Sequence, residues 1–76
     1  MDEVRTLFSA ICSQVGKDKY SKPPFNMALK FELRDENIDQ AISELQILLN
    51  HKYPDLRVSI EVHRDSRELV VDFTPQ

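Results

Sequence analysis

Two histidines and one cysteine are the softest potential metal ligands in this chain, and their spacing gives them no common site. A structural zinc centre takes four Cys, His or carboxylate donors gathered in close pairs. His51 falls at the end of a helical pattern and His63 on an alternating strand pattern, so they share no element. Cys12 lies on the apolar stripe of a helix and reads as a small buried hydrophobe. Being alone, it rules out an intramolecular disulfide and suits a reducing compartment.

A second set could do nucleophilic chemistry. Ser59, Glu61, His63 and Asp72 alternate along two runs that fold against each other, which puts a hydroxyl, an imidazole and two carboxylates on one sheet face. Acyl transfer needs such groups inside a cleft that excludes water. A flat face supplies no cleft, so these residues read as solvated cross-strand neighbours. Gly16 is the only glycine. Neither a Gly-x-Ser-x-Gly elbow nor a glycine-rich phosphate loop can therefore form. The expectation is a protein that is not an enzyme, with no catalytic residue, no metal and no cofactor.

Phosphate binding has one other route. Lys17, Lys19 and Lys22 gather around Tyr20, and Arg64 and Arg67 add two more cations. These five are the candidate nucleic-acid contacts. Against them stands a formal charge of −3, from 10 basic and 13 acidic residues. Nucleic-acid binders normally carry a basic surplus. RNA-binding sheets also stack bases on exposed aromatics, and all four phenylalanines here fall at core positions. An acidic row of Glu32, Glu61, Glu68 and Asp72 that would mimic a phosphate backbone is broken by Lys30 and Arg57.

The elements that carry these residues follow from periodicity. Val4, Leu7, Phe8, Ile11, Cys12 and Val15 repeat at helical spacing and predict a helix over 3–15, capped by Asp2 and ended by Gly16. Residues 16–24 are a linker that closes with Pro23-Pro24. Phe25, Met27, Leu29, Phe31 and Leu33 alternate as a half-buried strand over 25–33. Asp35-Glu36-Asn37 opens a second helix over 36–52 with capping residues. Its stripe is Ile38, Ala41, Ile42, Leu45, Leu48 and Leu49, with Ile47 at the margin. Two more alternating runs, 56–63 and 68–74, fold back about Asp65-Ser66 and pair Val62 with Leu69, Ile60 with Val71 and Val58 with Phe73. The stretch Leu49-Asn50-His51-Lys52-Tyr53-Pro54-Asp55-Leu56-Arg57-Val58 resembles the helix-to-strand junction of small DNA-damage-inducible RecA-modulating proteins. The resemblance implies a helix running straight into a strand, and no function is carried over from it.

Seventy-six residues in the order helix, strand, helix, strand, strand predict one small α+β domain in two layers. Right-handed crossover makes the first two strands parallel, with the third inserted between them. The simplest result is a three-stranded mixed sheet of order 1-3-2, a split βαβ arrangement, with two helices on one face; the alternative order 1-2-3 would set the first two strands side by side in parallel. The other face bears Lys30, Glu32, Arg57, Ser59, Glu61, His63, Val70 and Asp72. The longest uninterrupted apolar run is far short of a membrane span and the N-terminus is acidic, so the expected location is the cytoplasm. With no site chemistry, two open sheet edges remain. They predict a protein that acts through protein–protein binding as adaptor, inhibitor or regulator. Its candidate contacts are Lys30, Glu32, Arg57, Glu61, His63 and Asp72, and its partner is another protein or a second copy joined at a sheet edge. The alternatives are a nucleic-acid module using the basic set, and an enzyme subunit completed only on oligomerisation.

Overall fold

The computed structural model describes residues 3–17 and 22–76, in the order α1 (Glu3–Gln14), β1 (Phe25–Lys30), α2 (Asp35–Lys52), β2 (Leu56–His63) and β3 (Glu68–Pro75). The strands form one sheet of order β1-β3-β2. β3 is antiparallel to both neighbours. β1 and β2 run the same way without touching, so the sheet is antiparallel at every pairing rather than mixed. This is the α+β architecture that the alternation and crossover rules require.

Register follows side-chain period. Val62 pairs with Leu69, Ile60 with Val71 and Val58 with Phe73 across β2 and β3. Phe25 pairs with Phe73 and Met27 with Val71 across β1 and β3. A slip of one residue would send all these side chains to the solvent face. On the covered face they join Leu7 and Ile11 of α1 and Ile38, Leu45 and Leu49 of α2 in a single core. Both helices therefore cover the same side of the sheet. β3, flanked on both sides, buries Leu69, Val71 and Phe73 completely. Phe25, Leu29, Ile60 and Val62 stand on edge strands and are half-buried. The Phe73 ring lies between Phe25, at 5.0 Å, and Tyr53, edge-on at 5.7 Å. Such tilted and edge-to-face contacts match the charge distribution of aromatic rings.

Three local expectations are corrected. β1 ends at Lys30, short of residue 33. The Phe31 N–H adds one more rung by donating to the Arg67 carbonyl at 3.0 Å. After that the Glu32 N–H turns to the Glu3 carboxylate at 3.3 Å, and the Leu33 carbonyl accepts from the Arg67 guanidinium. The Arg67 guanidinium thus takes the Leu33 carbonyl that a longer ladder would use. At the start of α2 the cap residue is Arg34, which makes no side-chain cap bond. Asp35 is drawn instead to Arg67, 2.8 Å away. Ile47 is not at the margin of the stripe. It lies about half a helical turn from Leu45 and is 66% exposed.

α1 closes as its sequence requires. The Val15 N–H still donates to Ile11, the Lys17 N–H donates to Gln14, and between them Gly16 adopts φ 99°. That left-handed conformation suits glycine. Pro23-Pro24 is a cis peptide leading into β1. The expected Asp2 cap, together with Lys19 and Tyr20 of the linker, lies outside the described residues.

Candidate functional site

The uncovered sheet face is built from alternate residues of all three strands. β1 contributes Asn26, Ala28 and Lys30, and β3 contributes Glu68, Val70 and Asp72. β2 contributes Arg57, Ser59, Glu61 and His63. The rows across the sheet read Lys30–Glu68–His63, Ala28–Val70–Glu61 and Asn26–Asp72–Ser59. Opposite charges meet in the first row, and the middle row is small or apolar at its centre. His63 Nε2 sits 3.4 Å from Glu61 Oε2. Lys30 Nζ donates to the Ser66 carbonyl at 3.4 Å.

Five of the six candidate partner-binding residues share this face: Lys30, Arg57, Glu61, His63 and Asp72. Glu32 does not. It follows the end of β1 and lines an open cleft of about 480 Å³ between the first turn of α1 and α2, with Glu3, Arg34, Asn37, Gln40 and Glu44. The reason is the early end of the ladder, which turns the chain away before Glu32 can continue the alternation.

The set Ser59, His63 and Asp72 lies on one flat surface. Ser59 faces Asp72 across the ladder. Among the described residues no side-chain hydrogen bond links Ser59 to His63 or to Asp72. The same residues include no group of three or more His, Cys, Asp or Glu able to hold a metal ion. No described helix is long and apolar enough to cross a membrane.

Among the described members of the basic set, Lys22 does not come together with Arg64 and Arg67. Lys22 precedes β1 at the end of the sheet where Phe25 meets Phe73, whereas Arg64 and Arg67 lie in the turn beyond the opposite end, where Lys30 meets Glu68. A strand advances about 3.3 Å per residue, so the length of β1 separates them. Both arginines are also engaged within the chain. Arg64 Nη2 is 3.0 Å from Asp39 Oδ1. Arg67 Nη1 is 2.8 Å from Asp35 Oδ1, with its guanidinium carbon 5.3 Å from the centre of the Phe31 ring. Lys17 follows α1, and Lys19 lies outside the described residues.

The two sheet edges differ in a way that no sequence pattern signals. Backbone groups alternate sides along a strand. The Phe31 N–H points inward to Arg67, so Asn26, Ala28 and Lys30 point theirs outward from β1. None of the three makes a further main-chain hydrogen bond among the described residues. On β2 the outward residues are Leu56, Val58, Ile60 and Val62. There the Leu56 N–H donates to Tyr53 and its carbonyl accepts from the Gln76 amide at 3.1 Å. The Val58 carbonyl accepts from the Gln46 amide at 2.7 Å. Two of the four outward residues of the β2 edge are thus engaged, whereas among the described residues nothing hydrogen-bonds the outward main-chain groups of Asn26, Ala28 and Lys30 on β1. Gln46 is invisible to sequence reasoning because a glutamine in mid-helix normally reads as solvated.

Tyr53 is likewise more than a junction residue. It packs on Phe73, and burial pushes its hydroxyl up to about 12, with the Cys12 thiol beside it as the next cause. No protein-family model matches the chain, and neither the curated proteins nor the solved structures contain a match.

Proposed function

We propose that this chain is a non-enzymatic protein-binding domain, an adaptor, inhibitor or regulator, that meets another protein through its open sheet face. One observation carries the reading: both helices pack on the same side, leaving a flat face with cations at Lys30 and Arg57 and anions at Glu61, Glu68 and Asp72. Interspersed charges of both signs give orientation and specificity to a protein contact more than raw affinity. They also weaken attraction to a uniformly charged polymer. Among the described residues no strand places an aromatic ring on this face, where base recognition would use stacking.

The test is affinity capture from a lysate of the source cell, with and without nuclease, compared between the native chain and an Arg57→Ala, Glu61→Ala variant. Both side chains are exposed on β2, so the variant keeps its thermal midpoint. The expected result is one stoichiometric protein that survives nuclease and is lost with the variant. Capture unchanged by the variant removes the face as the contact. Loss of all captured material on nuclease treatment transfers the reading to nucleic acid.

A further inference from the structure

We propose that the outer edge of β1 pairs with the same edge of a second copy of this chain, antiparallel, with the two-fold axis between the two Ala28 residues. This goes beyond the open-face reading and stands on different groups.

The edge itself is the first observation. Asn26, Ala28 and Lys30 direct their N–H and C=O groups away from β3, and nothing among the described residues meets them. Proteins usually blunt such an edge with proline, a bulge or an outward charge. β1 has no proline between Phe25 and Lys30. Its one cation, Lys30, is drawn back toward the Ser66 carbonyl. The opposite edge of the sheet is partly closed by Gln46 and Gln76.

The second observation is charge complementarity, which selects a register. With Ala28 opposite Ala28, Asn26 of each copy faces Lys30 of the other, and each of these pairs exchanges both its main-chain hydrogen bonds. The open face then continues across the junction. Asp72, Asn26, Lys30 of the second copy and Glu68 of the second copy fall in one row. Lys30 of each copy thus stands in a row between its own Glu68 and, beyond the neutral Asn26, Asp72 of the other chain. On the covered face, Met27 meets Leu29 of the second copy and Phe25 meets its Phe31. Leu29 and Phe25 are half-buried at this edge in the single chain.

Other registers fail on stated grounds. Sliding one pleat toward the linker puts Pro24 opposite Lys30, and proline has no N–H to give. Sliding the other way sets the two Lys30 side chains diagonally and then directly opposite each other, and like charges in cross-strand positions are destabilising. The Ala28 register alone uses every outward group of β1 with no like-charge pair.

Sedimentation equilibrium over a range of concentrations tests the proposal on the intact chain, with circular dichroism as the check of folding. The native chain is expected to reach a dimer. Ala28→Pro removes an outward N–H at an edge position where proline is tolerated, and dimerisation is expected to be lost. Asn26→Lys places a second cation opposite Lys30, twice over by symmetry, and is expected to weaken the dimer by roughly tenfold. It decides the matter if the proline variant does not fold. Arg57→Ala with Glu61→Ala lies on the far strand and leaves the dimer unchanged, so this proposal and the open-face reading fail separately. A native chain that is monomeric up to about 1 mM, or a dimer whose affinity Asn26→Lys leaves untouched, overturns it.

Discussion

Arg67 joins three parts of this fold through its backbone and its side chain. Its backbone sits at φ 56°, closing the turn from Arg64 with an N–H to carbonyl bond of 3.3 Å. Its carbonyl receives the last rung of β1, and its guanidinium reaches Asp35, the Leu33 carbonyl and the face of Phe31. One side chain thus ties the hairpin to the segment that joins β1 to α2. Arg67→Ala and Arg67→Gly both lose the guanidinium, but only glycine relieves the left-handed backbone. The glycine variant is expected to be the more stable of the two by about 1 kcal/mol in urea denaturation. The opposite order sinks the strain account. Tyr53 gives a second expectation at this scale. Its folded value of about 12 exceeds the ordinary 10.0, so the folded chain holds a proton that the unfolded chain has released. Stability from this group is complete below pH 10 and is lost as pH rises through 12. In a Tyr20→Phe background the phenolate absorbance of Tyr53 should rise near pH 12 and not near 10, and Tyr53→Phe should flatten the fall in stability across that window.

Elements show where periodicity is a good guide and where it is not. The β2–β3 pairing was legible because both strands alternate without interruption and a slip would expose every apolar side chain. The end of β1 was not, because Phe31 and Leu33 continue the alternation while the ladder stops at Lys30. What stops it is Arg67, a residue far along the chain. Burial depth was only partly legible. The same apolar pattern describes Ile60, on a half-covered edge, and Leu45, fully enclosed between the layers. Leu45→Ala should therefore cost roughly 2–5 kcal/mol. Ile60→Ala should cost clearly less, because part of that side chain already meets water. Equal losses in urea titrations would mean that α2 does not lie over the sheet as described. Ile47 makes the converse point. Three apolar residues in a row, Ile47-Leu48-Leu49, cannot all face inward on a helix, and the 3.6-residue turn sends Ile47 outward.

Across the whole molecule, the candidate surface was legible as a face but not as a set of edges. Alternation assigns Arg57, Glu61, His63 and Asp72 to the uncovered side, and the fold brings them there with Lys30. Glu32 left that face, and Lys22 stands at the opposite end of the sheet from Arg64 and Arg67, because both outcomes depend on where strands end. The protection of one edge by Gln46 and Gln76 depends on contacts between distant residues, which no local pattern encodes. The strand order has a further consequence, for the time at which the protein can fold. β3 lies in the middle of the sheet yet follows both β1 and β2 along the chain, at Glu68–Pro75. Until it leaves the ribosome, β1 and β2 have no partner, and every pairing in the sheet is still to be made. A nascent chain halted before Glu68 holds helices with nothing to cover. Sheet formation must wait for β3, which leaves the apolar stretches of β1 and β2 to be shielded in the meantime by chaperones or by the exit tunnel.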